Sequence, residues 1–232
     1  MFTRFHALLP AALVLAVGSL SMPASAQNLL QNGSFELGTF VNNGTGTDSL
    51  PAGSSVLPGW TTNTAELAWL INGNNYGVAT PYGSYFLDLT GYHDQAPYGG
   101  VTQTLATTPG QTYHFSFSLG ADQGDTRYSG PIYASASAGT TTKLFLFTPD
   151  TDKHDNQWQT FGYDFVADSA STPITIVGTG SAGGQYIGLD NVSVTSDAAP
   201  VPEASSALSF GLLALGLAVG AIARYKRSAS AS

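Results

Sequence analysis

The stretch TYHFSFSL, residues 112–119, alternates without a break. Tyr113, Phe115, Phe117 and Leu119 fall on one side, and His114, Ser116 and Ser118 on the other. A period of two belongs to a strand with one buried and one wetted face. Working outward, similar runs occur at YFLDL (85–89), VTQTL (101–105), KLFLF (143–147), WQTFGYDFVA (158–167), PITIVG (173–178) and YIGLDNVSV (186–194). Pro109-Gly110, Pro149-Asp150 and Gly183-Gly184 punctuate them as turns. Between residues 27 and 199 there is no long stretch of period 3.6 and no internal repeat, and Gly, Thr, Ser, Asn and Tyr dominate. These residues favour strands and turns over helix. The expectation is an all-β fold, an antiparallel β-sandwich.

The flanks read differently. Arg4 and His6 precede an apolar run from Leu8 to Leu20, and Ala24-Ser25-Ala26 follows with small residues. This is the layout of a secretory signal peptide over residues 1–26, with the mature chain starting at Gln27. Residues 207–223 carry no charge and are followed at once by Arg224, Lys226 and Arg227. At 1.5 Å per residue that run spans about 25 Å, enough for a transmembrane helix, with the basic tail 224–227 as its cytoplasmic stop. One domain, residues 27–199, is left between the ends.

Within that domain three basic residues (Arg127, Lys143, Lys153) stand against 14 acidic ones, a net charge of −11. Such a balance excludes nucleic acid and anionic lipid as partners, because phosphate contacts require Lys and Arg. Neutral polysaccharide or cations fit better. Cysteine is absent, although an exported chain would tolerate disulfides.

Candidate binding residues sit in the Gly/Asn/Asp-rich loops: Tyr76, Tyr82, Tyr92, Tyr98 and Tyr128, with Arg127 and Asp94 near them. Tyrosine offers a rigid apolar face and a polar tip, the combination on which a sugar ring can stack. Braces for their own loops are the alternative role for such tyrosines. DTDKHDN (150–156) lacks the glycine and terminal Glu of an EF-hand and reads as a solvated turn. His114 reads as a surface histidine. No zinc signature, nucleophile elbow or phosphate loop occurs, and no carboxylate pair is singled out by spacing. Catalysis is not expected.

Several phrases taken in order carry a family resemblance: NLLQNGSFELG (28–38), LPGW (57–60), GSYFLDLTG (83–91), GGVTQTLATTPGQTYHFSFSLG (99–120) and QYIGLDNVSV (185–194). Together they resemble the galactose-binding-domain-like jelly rolls, and among these the domain of unknown function (DUF) 642 type found in plant cell-wall proteins and bacteria. The resemblance implies a jelly-roll sandwich with Trp60 and Trp158 packed in its core, and that Glu36 and Asp190, from the opening and closing phrases, share a structural calcium. The tail, with Val201-Pro202-Glu203, an apolar segment and a basic cluster, resembles the PEP-CTERM sorting signal, departing from it at Ala204 where proline is usual. That resemblance implies an exosortase-like membrane sorting enzyme as a partner, passage through the inner membrane, and residence at the envelope or in the matrix of an exopolysaccharide-producing Gram-negative bacterium. The expected function is a non-enzymatic protein that binds or organises exopolysaccharide or another neutral glycan. A purely structural matrix protein is the alternative, and a glycan-active enzyme a more remote one.

Overall fold

The computed structural model describes residues 27–92 and 94–196. The signal segment 1–26, the sorting motif and the span 207–223 lie outside the described residues, among which no helix is long and apolar enough to cross a membrane.

Eleven strands are present among the described residues: β1 (Thr47–Leu50), β2 (Thr61–Asn63), β3 (Leu67–Ile71), β4 (Tyr85–Asp88), β5 (Gly100–Ala106), β6 (Thr112–Asp122), β7 (Ile132–Ala138), β8 (Thr141–Phe147), β9 (Asn156–Val166), β10 (Ser171–Ser181) and β11 (Gly188–Ser196). They form a six-stranded sheet, β1-β3-β4-β11-β6-β9, and a five-stranded sheet, β2-β5-β10-β7-β8. Every pairing is antiparallel. The all-β sandwich expected from the alternating runs is the fold observed.

The core between the sheets follows from the alternation. Tyr113, Phe115, Phe117 and Leu119 of β6 are buried together with Ile132, Ala134 and Ala136 of β7 and Ile174 and Ile176 of β10. Pairing of β6 with β9 sets Tyr113 opposite Phe165 and Phe115 opposite Tyr163. The Tyr113 and Phe165 rings stack at 5.4 Å between centroids. Trp60 and Trp69 are also in this core, and each indole N–H donates to a carbonyl, of Asn32 at 2.9 Å and of Phe35 at 3.1 Å. Buried indoles need such partners.

Four strands escaped the sequence reading: β1, β2, β3 and β7. Strands β1 and β2 have only four and three residues. In β7, the inward positions after Ile132 are alanines alternating with serines, so its two faces barely differ in hydropathy. In β3, Leu67, Ala68, Trp69 and Leu70 are all buried, which abolishes alternation. The cause of that double burial also corrects the placement of Trp158, which is not in the main core. It packs on the opposite face of the six-stranded sheet, beside a second apolar cluster of Ala68, Leu70, Val78, Phe86, Tyr128 and Tyr186.

Two glycines make this second layer possible. Gly188 pairs with Asp88 on one side and Gly120 on the other, and Gly120 pairs with Trp158. A Cβ at Gly120 would lie 2.5 Å from the Trp158 ring, and one at Gly188 would lie 2.5 Å from the Tyr186 hydroxyl. Both rings therefore rest directly on the sheet backbone. Gly120→Val should lower the unfolding free energy by roughly 1–3 kcal/mol through overpacking, read by denaturant titration. Gly110→Ala is a poor comparison because of its positive φ of 82°, so Ser116→Val, on the same strand and outer face, serves instead and should change stability far less.

Candidate functional site

A cleft opens on the outer face of the six-stranded sheet. Its floor comes from the strands: Thr47 of β1, Ala68 and Leu70 of β3, and Asp88 of β4. Four connections supply its walls: Tyr76 and Val78 from the β3–β4 loop, Gly91, Tyr92 and Asp94 from the loop after β4, Tyr128 from the loop before β7, and Gln185 and Tyr186 from the loop before β11. The cleft offers about 80 Å³, room for roughly five or six waters at about 10–15 Å³ each on that measure. It admits the edge of a ring or a hydroxymethyl group, with the mouth left for anything larger.

The walls are held by local chemistry. Asn74 donates to the carbonyls of Ile71 and Val78, both at 2.8 Å, and accepts from the Tyr76 amide at 3.0 Å. This ties the loop into a compact turn that aims Tyr76 inward. Tyr76 and Tyr128 meet edge to face at 6.5 Å, and Tyr128 meets Tyr186 the same way at 6.3 Å. At the mouth Asn43 donates to the Tyr92 hydroxyl at 2.5 Å, and Tyr92 keeps 47% of its surface exposed. Arg127 stands outside. Its guanidinium lies 4.9 Å from the Tyr128 ring centroid and pairs with Asp125 at 2.6 Å, holding that carboxyl down to about 2.

The floor is acidic and dry. Burial pushes Asp88 up to about 7, against the hydrogen bonds its Oδ1 accepts from the Ile187 and Thr90 amides and the Thr90 hydroxyl. Burial also drives the Tyr186 phenol well above its ordinary value, and the nearby carboxylates of Asp88, Asp190 and Asp122 add to the effect. The Tyr186 hydroxyl, in a residue 1% exposed, has no hydrogen-bond partner among the described residues. It lies against the sheet backbone at Gly188. Among the described residues no Lys or Arg lines the cleft. Phenols, a threonine hydroxyl, two carboxyls and one carboxamide form a surface for a neutral, hydroxyl-rich ligand rather than an anion.

The structure brings together four of the seven residues singled out from loop composition: Tyr76, Tyr92, Asp94 and Tyr128. Arg127 touches the site only through Tyr128. Tyr82 belongs to a separate shallow cleft with Pro81, Asn156 and Trp158, its ring 5.9 Å from that of Trp158. Tyr98 does not reach the cleft, for it packs against the main core. Asp88, Gln185 and Tyr186 were missed. The one available signal was that Asp88 shares the outer face of YFLDL with Phe86.

Glu36 and Asp190 are close enough for their charges to interact. The Glu36 charge adds to burial in pushing Asp190 up to about 7. Glu36 Oε1 accepts from the Ser84 and Tyr85 amides at 2.8 and 2.9 Å, while Asp190 accepts from the Thr80 hydroxyl at 2.5 Å and the Asn191 amide at 2.6 Å. Among the described residues no group of three or more His, Cys, Asp or Glu side chains could hold a metal ion. The pair supplies two hard ligands, and calcium's remaining six-to-eight-oxygen shell would have to come from backbone and water. His114 is exposed and bonded to Asp164 at 2.7 Å, a surface pair.

Because Asp88 in the fold titrates above the ordinary carboxyl value of 3.8, the fold binds more protons than the unfolded chain between those values. The contribution is fully present below about pH 4 and is lost as pH rises through about 7. Asp88→Asn removes this dependence. Relative to the variant, the parent should lose on the order of 4 kcal/mol of unfolding free energy between pH 4 and 8, at 1.36 kcal/mol per unit, measured by denaturant titration across that range.

Comparison with known proteins gives a match over residues 28–194 to the family described as protein of unknown function DUF642. Among solved structures, TmCBM61 in complex with β-1,4-galactotriose is similar at 14% identity and a TM-score of 0.44, over 74% of this chain and 100% of the other. The structure described as CBM4 structure and function is similar at 16% identity and a TM-score of 0.37, over 72% and 99%. The CBM22-1 xylan-binding domain of Paenibacillus barcinonensis Xyn10C is similar at 13% identity and a TM-score of 0.38, over 65% and 92%.

Proposed function

The chain belongs to the DUF642 family, and from that premise we propose that it is a non-enzymatic glycan-binding protein whose binding site is the tyrosine-lined cleft on the six-stranded sheet. One observation carries the reading: four tyrosines, Tyr76, Tyr92, Tyr128 and Tyr186, line a cleft that among the described residues has no Lys or Arg, and its other polar side chains are a threonine hydroxyl, carboxyls and a carboxamide. A sugar hydroxyl both accepts and donates, so it satisfies the two kinds of group at once. Tyr92, half-exposed at the mouth, supplies the platform for the C–H face of the ring. The narrowness of the cleft favours insertion of a ring edge, with the rest of the glycan outside.

Exopolysaccharide is the proposed ligand class. Export, sorting by an exosortase-type enzyme and residence at the envelope or in the matrix of a Gram-negative bacterium belong to the same proposal. They rest on residues 1–26 and 200–232, which lie outside the described residues. A calcium ion at Glu36 and Asp190 is proposed as a structural element, since burial, with the Glu36 charge adding to it, raises Asp190 and a cation there would favour the ionised carboxylate.

The test is a broad glycan array with the purified chain, followed by titration of the best ligand. Binding should weaken at least about tenfold, or about 1.4 kcal/mol, in both Tyr92→Ala and Tyr128→Ala. A folded chain silent across the array would instead support a structural matrix role, and release of reducing ends would make it an enzyme. Millimolar calcium should raise the unfolding midpoint at pH 8 by mass action, and Asp190→Asn should remove that increase.

A further inference from the structure

Each sheet ends in two edges, and three of the four edge strands are poor templates for further pairing. Strands β1 and β2 have four and three residues, and β9 carries Asp164 and follows a loop with Asp150, Asp152 and Asp155. Strand β8 differs. Its seven residues, TTKLFLF, pair only with β7, and its other edge is free of pairing among the described residues. Natural edges are usually shortened, bulged or guarded by charge. Here the one charge, Lys143, is folded back over the Tyr163 ring at 4.7 Å.

The outer surface beside this edge is apolar. Leu144 is 77% exposed, Leu146 49% and Tyr133 42%, and Tyr133 sits directly opposite Leu146 in the β7–β8 register. These are three of the nine large hydrophobic side chains exposed among the described residues, gathered on one hairpin. The charge distribution selects the occupant. From Thr126 to Pro149 there is no carboxylate, while two of the domain's three basic residues, Arg127 and Lys143, lie there. For a chain otherwise so acidic, this hairpin is a face on which a second copy meets little carboxylate repulsion, Asp168 standing at its turn, where Thr140 donates to it.

We propose that two copies of this chain associate by antiparallel pairing of β8 with β8, on a two-fold axis at Leu144, so that the two five-stranded sheets become one. The strand's sequence suits that axis. Leu144 would oppose Leu144 of the second copy, Thr142 would oppose Leu146, and Lys143 would oppose Phe145. Positions 142, 144 and 146 all stay on the outer face. Each ammonium meets an aromatic ring, and the Leu144–Leu146–Tyr133 patches of both copies merge. The interface is isologous and closed, and leaves no further β8 edge exposed.

The chain has no cysteine, which makes the register directly readable. Opposite residues of an antiparallel pair lie about 4.5–5.5 Å apart at Cα, within disulfide range. Leu144→Cys in the full-length chain should therefore give a disulfide-linked dimer on mild oxidation, at least about tenfold more than Thr104→Cys on the outer face of β5. Thr142→Cys and Leu146→Cys should each fail to cross-link alone, since a residue and its own mate two positions from the axis are about 13 Å apart along the strands, yet should cross-link when mixed. Leu144→Lys, at an exposed position that leaves circular dichroism unchanged, should abolish association in light scattering. The proposal is overturned if Leu144→Cys cross-links no better than Thr104→Cys, if Thr142→Cys alone cross-links as well as Leu144→Cys, or if the parent chain is monomeric at about 100 μM.

Discussion

The contact between bare backbone at Gly120 and Gly188 and the rings of Trp158 and Tyr186 is the constraint on which the rest depends. With any side chain at those positions the rings would be lifted off the six-stranded sheet. Its outer surface would then be an ordinary wetted face. With glycine there, the rings lie down, Phe86, Leu70 and Val78 pack around them, and the connecting loops are drawn over the sheet. The sandwich acquires a third layer on one side. The cleft is the incompletely filled part of that layer, which explains why its floor is both dry and acidic.

This arrangement also explains the electrostatics. Asp88 and Asp190 occupy outer-face positions where a solvated carboxylate would be unremarkable in a two-layer sandwich. Covering them removes water and forces both upward toward neutrality. A buried carboxyl that accepts amide hydrogen bonds and still titrates near 7 marks a place where desolvation has outrun compensation. Such places are retained where a polar ligand, or an ion, completes the set.

How much of this could be read from the chain divides along the same line. Alternation at residues 112–119 revealed β6 because its inner face is aromatic and its outer face begins polar. The hairpin strand β7 was invisible because alanine and serine differ too little, and β3 because both its faces are covered. The loop tyrosines Tyr76, Tyr92 and Tyr128 were legible from composition. Asp88 and Tyr186 were not, because their significance depends on a cross-strand register, Asp88 to Gly188 to Gly120, that joins segments far apart in the chain. Local pattern carries no trace of such a register.

The first described residues are stitched to the last strand: the Leu29 amide donates to Val194, the Asn28 carboxamide to Val192, and the Val194 amide returns to Asn28. Strand β11 begins beside the cleft at Gly188 and ends at Ser196, a run of nine residues or roughly 30 Å at about 3.3 Å each. The same strand thus serves as a spacer between two poles of the molecule. The tyrosine-lined mouth stands off from Ser196 by about the length of the strand.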